Sequence, residues 1–587
     1  MRKAAIAVAV ACLAQGDLAR GDTWAVIVAG SSGWSNYRHQ ADSCHAYHIL
    51  LNGGVSEDHI ILMTYDDAAS SRYNIYPGKL FNRPTPAGDG GWDVRKGCNA
   101  SYVGGDVTKA NFLAVLTGDQ ETTGGRPVLR STAADRVFVY FADHGAPGLI
   151  AMPVGSPVYA QELLDALRTM RDTNMYEKLV FYLEACESGS MFEGLLPDDA
   201  AVYATTAANA AESSWGTYCG ADSSVDGKEL STCLGDLYSV NWMEDSDLPS
   251  HMQSESLDAQ FQMLVARTDL SHVMRYGDTS FSTERIHDFL GGNGRRRGAA
   301  AAAVAAGGAA AAATVDEECT DCATRLLPDR WPQPAPTRMA VIKTATEATA
   351  EGTAGTANGG WLTAMAELSS WNSRFVKLLT LRRMAARTDL DAALRWELAA
   401  EVAAEEAHIA ETDATFALVA RHAVEFSVAA AAAAAARTGV NPAEAPAAWL
   451  LRGPPGGRSS SGFTAAGARL AGAQLLSATA SKLAAAAVAA DETGSSDGAK
   501  LAQEAVAWVM FGTCLPLSEG MLGCHKAATE AAIEACGPFS DYSIRYARVF
   551  SNLCAAGVEE EGIVAAVRAA CRKGEASPAE TQTIAVA

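Results

Sequence analysis

Two short stretches place reactive side chains directly after apolar runs. VFVYFADHG carries His144 as its next-to-last residue, and LVFYLEACESGSM delivers Cys186 between Glu184 and Glu187. Burying carboxylates beside a thiol without partners is costly, so a purely structural role for this stretch fits poorly. Thiol catalysis explains it. A free thiol with a pKa of about 8.5 is only ~0.03% thiolate at pH 5, so a neighbouring imidazole must take its proton. Residues 144 and 186 are 186 − 144 = 42 positions apart, which leaves room for a crossover helix between adjacent parallel strands. Gly145 follows the histidine, and its amide together with that of Cys186 would form an oxyanion hole. A lone Cys or His is usually core, but two strand ends carrying the pair point to a nucleophile and its base.

The elements around these residues alternate. WAVIVAG (24–30), HIILMTYDD, VFVYFADHG, LVFYL and VYATTAA (202–208) read as buried strands. HAYHILLNGG (45–54) reads as a helix with a glycine stop, and AQELLDALRTM (160–170) as an amphipathic helix with Leu163, Leu164 and Leu167 on one face. This pattern predicts an α/β fold, a mainly parallel sheet flanked by helices, with chemistry beyond the carboxyl ends of its strands. After Gly291 the composition changes to an alanine-rich, low-complexity segment. Beyond it Leu390, Leu394, Leu398 and Val402 recur at four-residue spacing, which predicts helix. The expected division is residues 1–14, 22–290, 291–360, 361–575 and a tail at 576–587.

The 587 residues carry 46 basic and 68 acidic side chains, a net charge of −22. That excess excludes a basic nucleic-acid-binding face and suits an acidic compartment. MRKAAIAVAVACLA has a basic start, a short apolar run and small residues near Ala14, the pattern of a secretory signal peptide. No later segment reads as a membrane span. In the secretory pathway cysteines pair, and 13 are present, including Cys12 in the leader. Cys219 and Cys233 flank a polar loop that a disulfide would close, while Cys44, Cys98 and Cys514 have no evident partner. Cys319 and Cys322 form a CxxC, read as a local disulfide or drift. Asn99 begins the one N-glycosylation sequon. Cys44, His45 and His48 share a helix face, but no fourth ligand follows at zinc-like spacing, so neither metal nor cofactor is implied.

YFADHG and EACESGSM, with AGSSGWSNYRHQADSCHAYH, YATTAANAAESSWGTYC and TCLGDLYSVNWMEDSD, resemble the legumain family of asparaginyl endopeptidases (vacuolar processing enzymes), peptidase family C13 of the caspase-like clan. SSG at Ser31–Gly33 stands where the family has Ser-Asn-Gly. The resemblance implies a caspase-like catalytic domain over 22–290 and a helical autoinhibitory prodomain over 361–575. It implies Cys186 as nucleophile, His144 as general base and then acid, and Asn36 orienting the imidazole. Arg38, His39, Glu184, Ser213 and Asp236 would form the pocket for the residue before the scissile bond. Such a pocket meets both ends of a carboxamide, which has one accepting and one donating end. Substrate aspartate would enter only when protonated in acid. Asp143 is the residue that can cyclise to a succinimide in this family; the other reading is a strand-end aspartate making hydrogen bonds. The family also has counterparts of the pairs Cys219–Cys233, Cys524–Cys554 and Cys536–Cys571.

The same resemblance implies a zymogen whose prodomain acts as an intramolecular inhibitor and leaves in acid, with delivery to a vacuole- or lysosome-like compartment or secretion. Asn293 and then Asn358 are the candidate self-cleavage points in the linker; Asn441 precedes proline and should resist. The partners are protein and peptide substrates. Two other readings use the same residues: a peptide ligase resolving the thioester with an amine, and a non-catalytic glycoprotein keeping the fold.

Overall fold

The computed structural model describes residues 21–291, 368–438, 510 and 517–571. The expected leader, the linker with Asn293, Asn358, Cys319 and Cys322, and Cys514 lie outside the described residues. Seven strands form the central sheet: β1 (Thr23–Ala29), β2 (Ile60–Thr64), β3 (Tyr102–Val103), β4 (Arg136–Ala142), β5 (Lys178–Glu184), β6 (Val202–Thr206) and β7 (Met274–Gly277). Their order is β7-β6-β5-β4-β1-β2-β3. All neighbours are parallel except β7, which runs antiparallel to β6. The short edge strands β3 and β7 carry no apolar run of their own, and the sequence did not signal them.

Side chains alternate across this sheet with the two-residue period of a strand. Ala25, Ile27, Phe138, Tyr140, Val180 and Tyr182 join one core. Val26, Val28, Val137, Val139, Phe181 and Leu183 join the other. Helices α1 (Tyr37–Gly53), α4 (Leu237–Ser246) and α5 (Leu257–Arg267) contribute to the first core. Helices α2 (Lys109–Thr117) and α3 (Ala160–Asp172) contribute to the second. Burial on both faces is why the strands read as continuous apolar runs rather than as alternating ones. Helix α1 starts at Tyr37, eight residues before the expected start at His45, because its first turn is buried and polar rather than apolar.

The C-terminal block comprises α6 (Val376–Ala385), α7 (Ala392–Thr438), α8 (Leu522–Cys536), α9 (Ala547–Ala555) and α10 (Glu560–Ala570). Among its described residues it is mainly helical, with one strand. Ser370–Asn372 is a strand that pairs antiparallel with Trp215–Thr217, which in turn pairs with Gly235–Asp236. The expectation of an all-helical block is corrected at that point: the strand exists only because an edge is available for it to join. The block packs closely onto the α/β region. Leu381, Met384 and Leu398 share the first core, and Leu517 and Leu522 share the second.

Disulfides join Cys219–Cys233, Cys524–Cys554 and Cys536–Cys571. A fourth joins Cys44 on α1 to Cys98, two residues for which the sequence offered no partner. A link across 54 residues is invisible to local spacing. On chain-entropy grounds it stabilises by roughly 4 kcal/mol. Replacing both Cys44 and Cys98 with alanine should lower unfolding stability in urea by that amount; a loss under about 1 kcal/mol would show that other contacts hold the loop.

Candidate active site

The sheet register places the reactive pair. Strand β4 pairs with β5 from Arg136↔Lys178 to Ala142↔Glu184, an offset of 42 throughout. The same offset separates His144 from Cys186, so both residues leave adjacent strand ends at the same level. The contact is close: a Cβ on Gly145 would lie 2.4 Å from the Cys186 carbonyl oxygen and 2.9 Å from Ala185 Cβ. Glycine at 145 is therefore a packing requirement. Beyond Cys186 the chain turns sharply, with Glu187 at φ 47° in the left-handed region, a conformation unusual outside glycine.

His144 is 3% exposed. Its Nε2 lies 2.8 Å from Asn36 Oδ1. The Asn36 amide nitrogen donates to Ser32 O and Asp541 Oδ2, and Arg38 Nη1 also approaches Oδ1. With its nitrogen donating, Asn36 presents its oxygen to the ring, so Nε2 carries the proton. Nδ1 is left buried without a protein partner, the lone pair that a general base needs. Burial lowers the His144 pKa to about 4, against the opposing pull of Asp541. The imidazole is neutral in this state.

Cys186 is fully buried and is the free cysteine among the described residues. Ser214 N–H donates to its Sγ at 3.3 Å, and Ser214 Oγ lies at 3.6 Å. Burial raises the thiol pKa; Arg374 and Ser214 pull it down, and Glu187 pushes it up. The sequence reading singled out Ser213, which is half-buried; it did not find Ser214, because adjacent serines look alike in a sequence.

Arg38, fully buried on α1, donates from Nε to Asp236 Oδ1 at 2.8 Å and from Nη1 to Ser35 O at 2.8 Å. Its Nη2 has no protein partner. Glu184 Oε2 accepts from both the backbone and hydroxyl of Ser239, at 3.1 and 2.9 Å, while Oε1 has no partner. His39 lies 3.4 Å from Asp236 and accepts or donates to Ser31 Oγ. Burial lowers the His39 pKa and raises those of Glu184 and Asp236. An unused donor and an unused acceptor are thus buried in one polar cluster. Burial also raises Asp143, with the His144 backbone amide opposing it.

The C-terminal block closes this site. Arg374 donates from Nη2 to the Gly145 carbonyl at 2.6 Å and to Glu187, which also accepts from Arg548 Nη2 at 2.8 Å. Arg374 and Glu187 are buried, at 4% and 1% exposed, so neither can lose its partner cheaply. Asp541 reaches His144 Nε2 at 3.6 Å. The residues singled out for a metal are otherwise engaged: Cys44 is in a disulfide, His45 meets Asn82 and Asp247, and His48 meets the Val94 carbonyl. Asn99 is exposed, and its amide donates to Glu57.

Comparison with known proteins fits this arrangement. Residues 23–292 match the Peptidase C13 family and residues 520–571 match the legumain prodomain. Among curated proteins, vacuolar-processing enzyme of Vicia sativa is 48% identical over 279 residues, covering 46% of this chain and 55% of that protein. Legumain of Rattus norvegicus is 49% identical over 274 residues, covering 46% of this chain and 60% of that protein. The chain thus spans a little over half the length of these relatives.

At neutral pH the full chain should alkylate slowly at Cys186 with iodoacetamide, read by peptide mass spectrometry. Arg548→Ala, which removes one of the two guanidinium groups holding Glu187, should speed this several-fold. An unchanged rate would show that the closure does not depend on that contact.

Proposed function

We propose that this protein is a cysteine endopeptidase that cuts after asparagine and is made as a zymogen closed by its own C-terminal block. Cys186 is the nucleophile, His144 Nδ1 takes its proton and later protonates the leaving amine, and Asn36 fixes the ring. The amides of Gly145 and Cys186 would receive the oxyanion. The observation that carries the reading is the pair of unused groups beside the thiol. Arg38 Nη2 offers a donor to a carboxamide oxygen and Glu184 Oε1 an acceptor to its nitrogen. A site of this kind rejects a residue that leaves its polar groups unpaired by roughly 10⁴-fold. His39, Ser213 and Asp236 belong to the same pocket in this reading. Its natural substrates would be proteins and peptides in an acidic compartment of the secretory pathway, in line with the names of the relatives.

Asp143 supports a second reading, peptide ligation on the same thioester. Burial raises the pKa of its carboxyl, with the His144 backbone amide opposing, and that amide is the nitrogen that would attack the side-chain carboxyl carbon, with loss of water, in succinimide closure. Adding an amine-terminated acceptor peptide and analysing products separates hydrolysis from ligation.

The substrate test compares peptides with Asn, Gln or Asp at the cleaved position. Wild type at pH 5 should cut Asn far faster than Gln, with Asp gaining as pH falls, and Cys186→Ala should cut none. Equal rates on Asn and Gln would contradict the pocket assignment.

Release in acid has a defined sign. His525 on α8 is buried beside Gly148 of the α/β region, and burial lowers its pKa to about 4, as it does for His144. A lowered histidine favours the closed state fully above its ordinary pKa of about 6.5, and that contribution is lost as pH falls from there toward 4. Glu162, which Lys526 contacts across the interface at 2.8 Å, is held below its ordinary range by its hydrogen bonds, in excess of the upward push of burial. Its contribution is present above that range and lost below it. Hydrogen exchange at Trp215–Thr217, corrected for intrinsic rates, should therefore rise between pH 6.5 and 4. His525→Gln should move the rise to lower pH; coincident profiles would remove His525 from the switch.

A further inference from the structure

The strand Ser370–Asn372 lies along the cleft in an ordered register: Thr217↔Ser370, Gly216↔Trp371 and Trp215↔Asn372. The register continues one step toward the thiol, where Ser373 N–H donates to Ser214 O at 3.2 Å. Ser214 touches both sides: its Oγ is 3.3 Å from Ser373 Oγ and 3.6 Å from Cys186 Sγ. Residue 373 therefore stands where a peptide would present the residue before its scissile bond. Alternate residues of a strand share a face, so Trp371 points to the same side as Ser373.

That side can be identified. A Cβ built on Gly216, directly opposite Trp371, would meet Cys233 Sγ at 3.0 Å and Arg38 Cδ at 3.3 Å. The face therefore carries the carboxamide pocket and, beside it, the Cys219–Cys233 disulfide. Trp371 is fully buried there, in one cluster with Cys219 and Cys233. Val376 and Leu379 of the C-terminal block complete the cluster and would leave with it. The disulfide and the side-chain-free stretch at Gly216 would stay.

We propose that Trp215–Thr217 and the Cys219–Cys233 disulfide form a substrate subsite that favours a large aromatic side chain two residues before the cleaved asparagine, and that Trp371 fills this subsite in the closed chain. The inference rests on the asparagine-directed cleavage proposed above. It also gives a reason for the segment to occupy the cleft without being a substrate. With Trp371 seated, the small Ser373 faces the carboxamide pocket and leaves Arg38 Nη2 and Glu184 Oε1 unpaired. Asn372 is out of phase by one residue, and its Oδ1 accepts from Arg374 N at 3.1 Å. A strand shifted by one residue turns every side chain to the other face, so the seated tryptophan keeps Asn372 from the pocket.

The test uses the full chain at pH 5 with peptides Trp-Ala-Asn, Ala-Ala-Asn and Asp-Ala-Asn carrying a reporter after Asn. The Trp peptide should exceed the Ala peptide in kcat/KM by about tenfold, in line with burial of an aromatic side chain. Equal values for Trp and Ala, with cleavage after Asn intact, would overturn the subsite alone. Absence of cleavage in all three would overturn the asparagine reading itself. In the full chain at neutral pH, Trp371→Ala should speed Cys186 alkylation by about tenfold while Trp371→Phe stays near wild type. Identical rates in the two variants would overturn the seating of Trp371.

Discussion

Residues 144 and 186 meet because β4 and β5 pair in parallel without a slip along seven residues. A one-residue shift would turn both core faces inside out, so the hydrophobic pattern enforces the register. Each residue then emerges at the carboxyl end of its strand, and Gly145 lets the two chain ends touch. The polar groups around them are held by neighbours. Asn36 fixes the imidazole and Ser214 contacts the thiol, while Ser239 and Asp236 restrain Glu184 and Arg38.

The same burial that organises the site also silences it. A neutral imidazole and an un-ionised thiol are what a buried, closed cleft favours. The C-terminal block supplies the cover by adding a strand to the Trp215–Thr217 edge, by placing Arg374 and Arg548 on Glu187, and by setting Asp541 beside His144 and Asn36. The strand addition depends on main-chain hydrogen bonds and so resembles the way an extended peptide would dock. In the proposed function, inhibition and substrate binding would compete for this one edge, and acid would shift the competition by charging buried histidines.

The sequence revealed the parts that depend on local pattern. Five apolar runs marked the principal strands, and their ends marked His144 and Cys186. It could not reveal what depends on distant pairing. The Cys44–Cys98 link, the edge strands β3 and β7, and the strand Ser370–Asn372 draw their stability from partners far along the chain. Ser214, Arg374, Arg548 and Asp541 are ordinary polar residues until the fold brings them to the cleft. Arg38 and Glu184 were found through the family resemblance, and their unpaired atoms through coordinates alone.

The central claim is that Cys186 acts beside a pocket with one free donor and one free acceptor, opened by acid. An electrophilic peptide probe ending in an asparagine side chain tests it most directly, with the adduct mapped by mass spectrometry. A single adduct on Cys186 is expected at pH 5, little at pH 7, and little at either pH with an alanine-ending probe. Labelling elsewhere, or equal labelling by both probes, would contradict it.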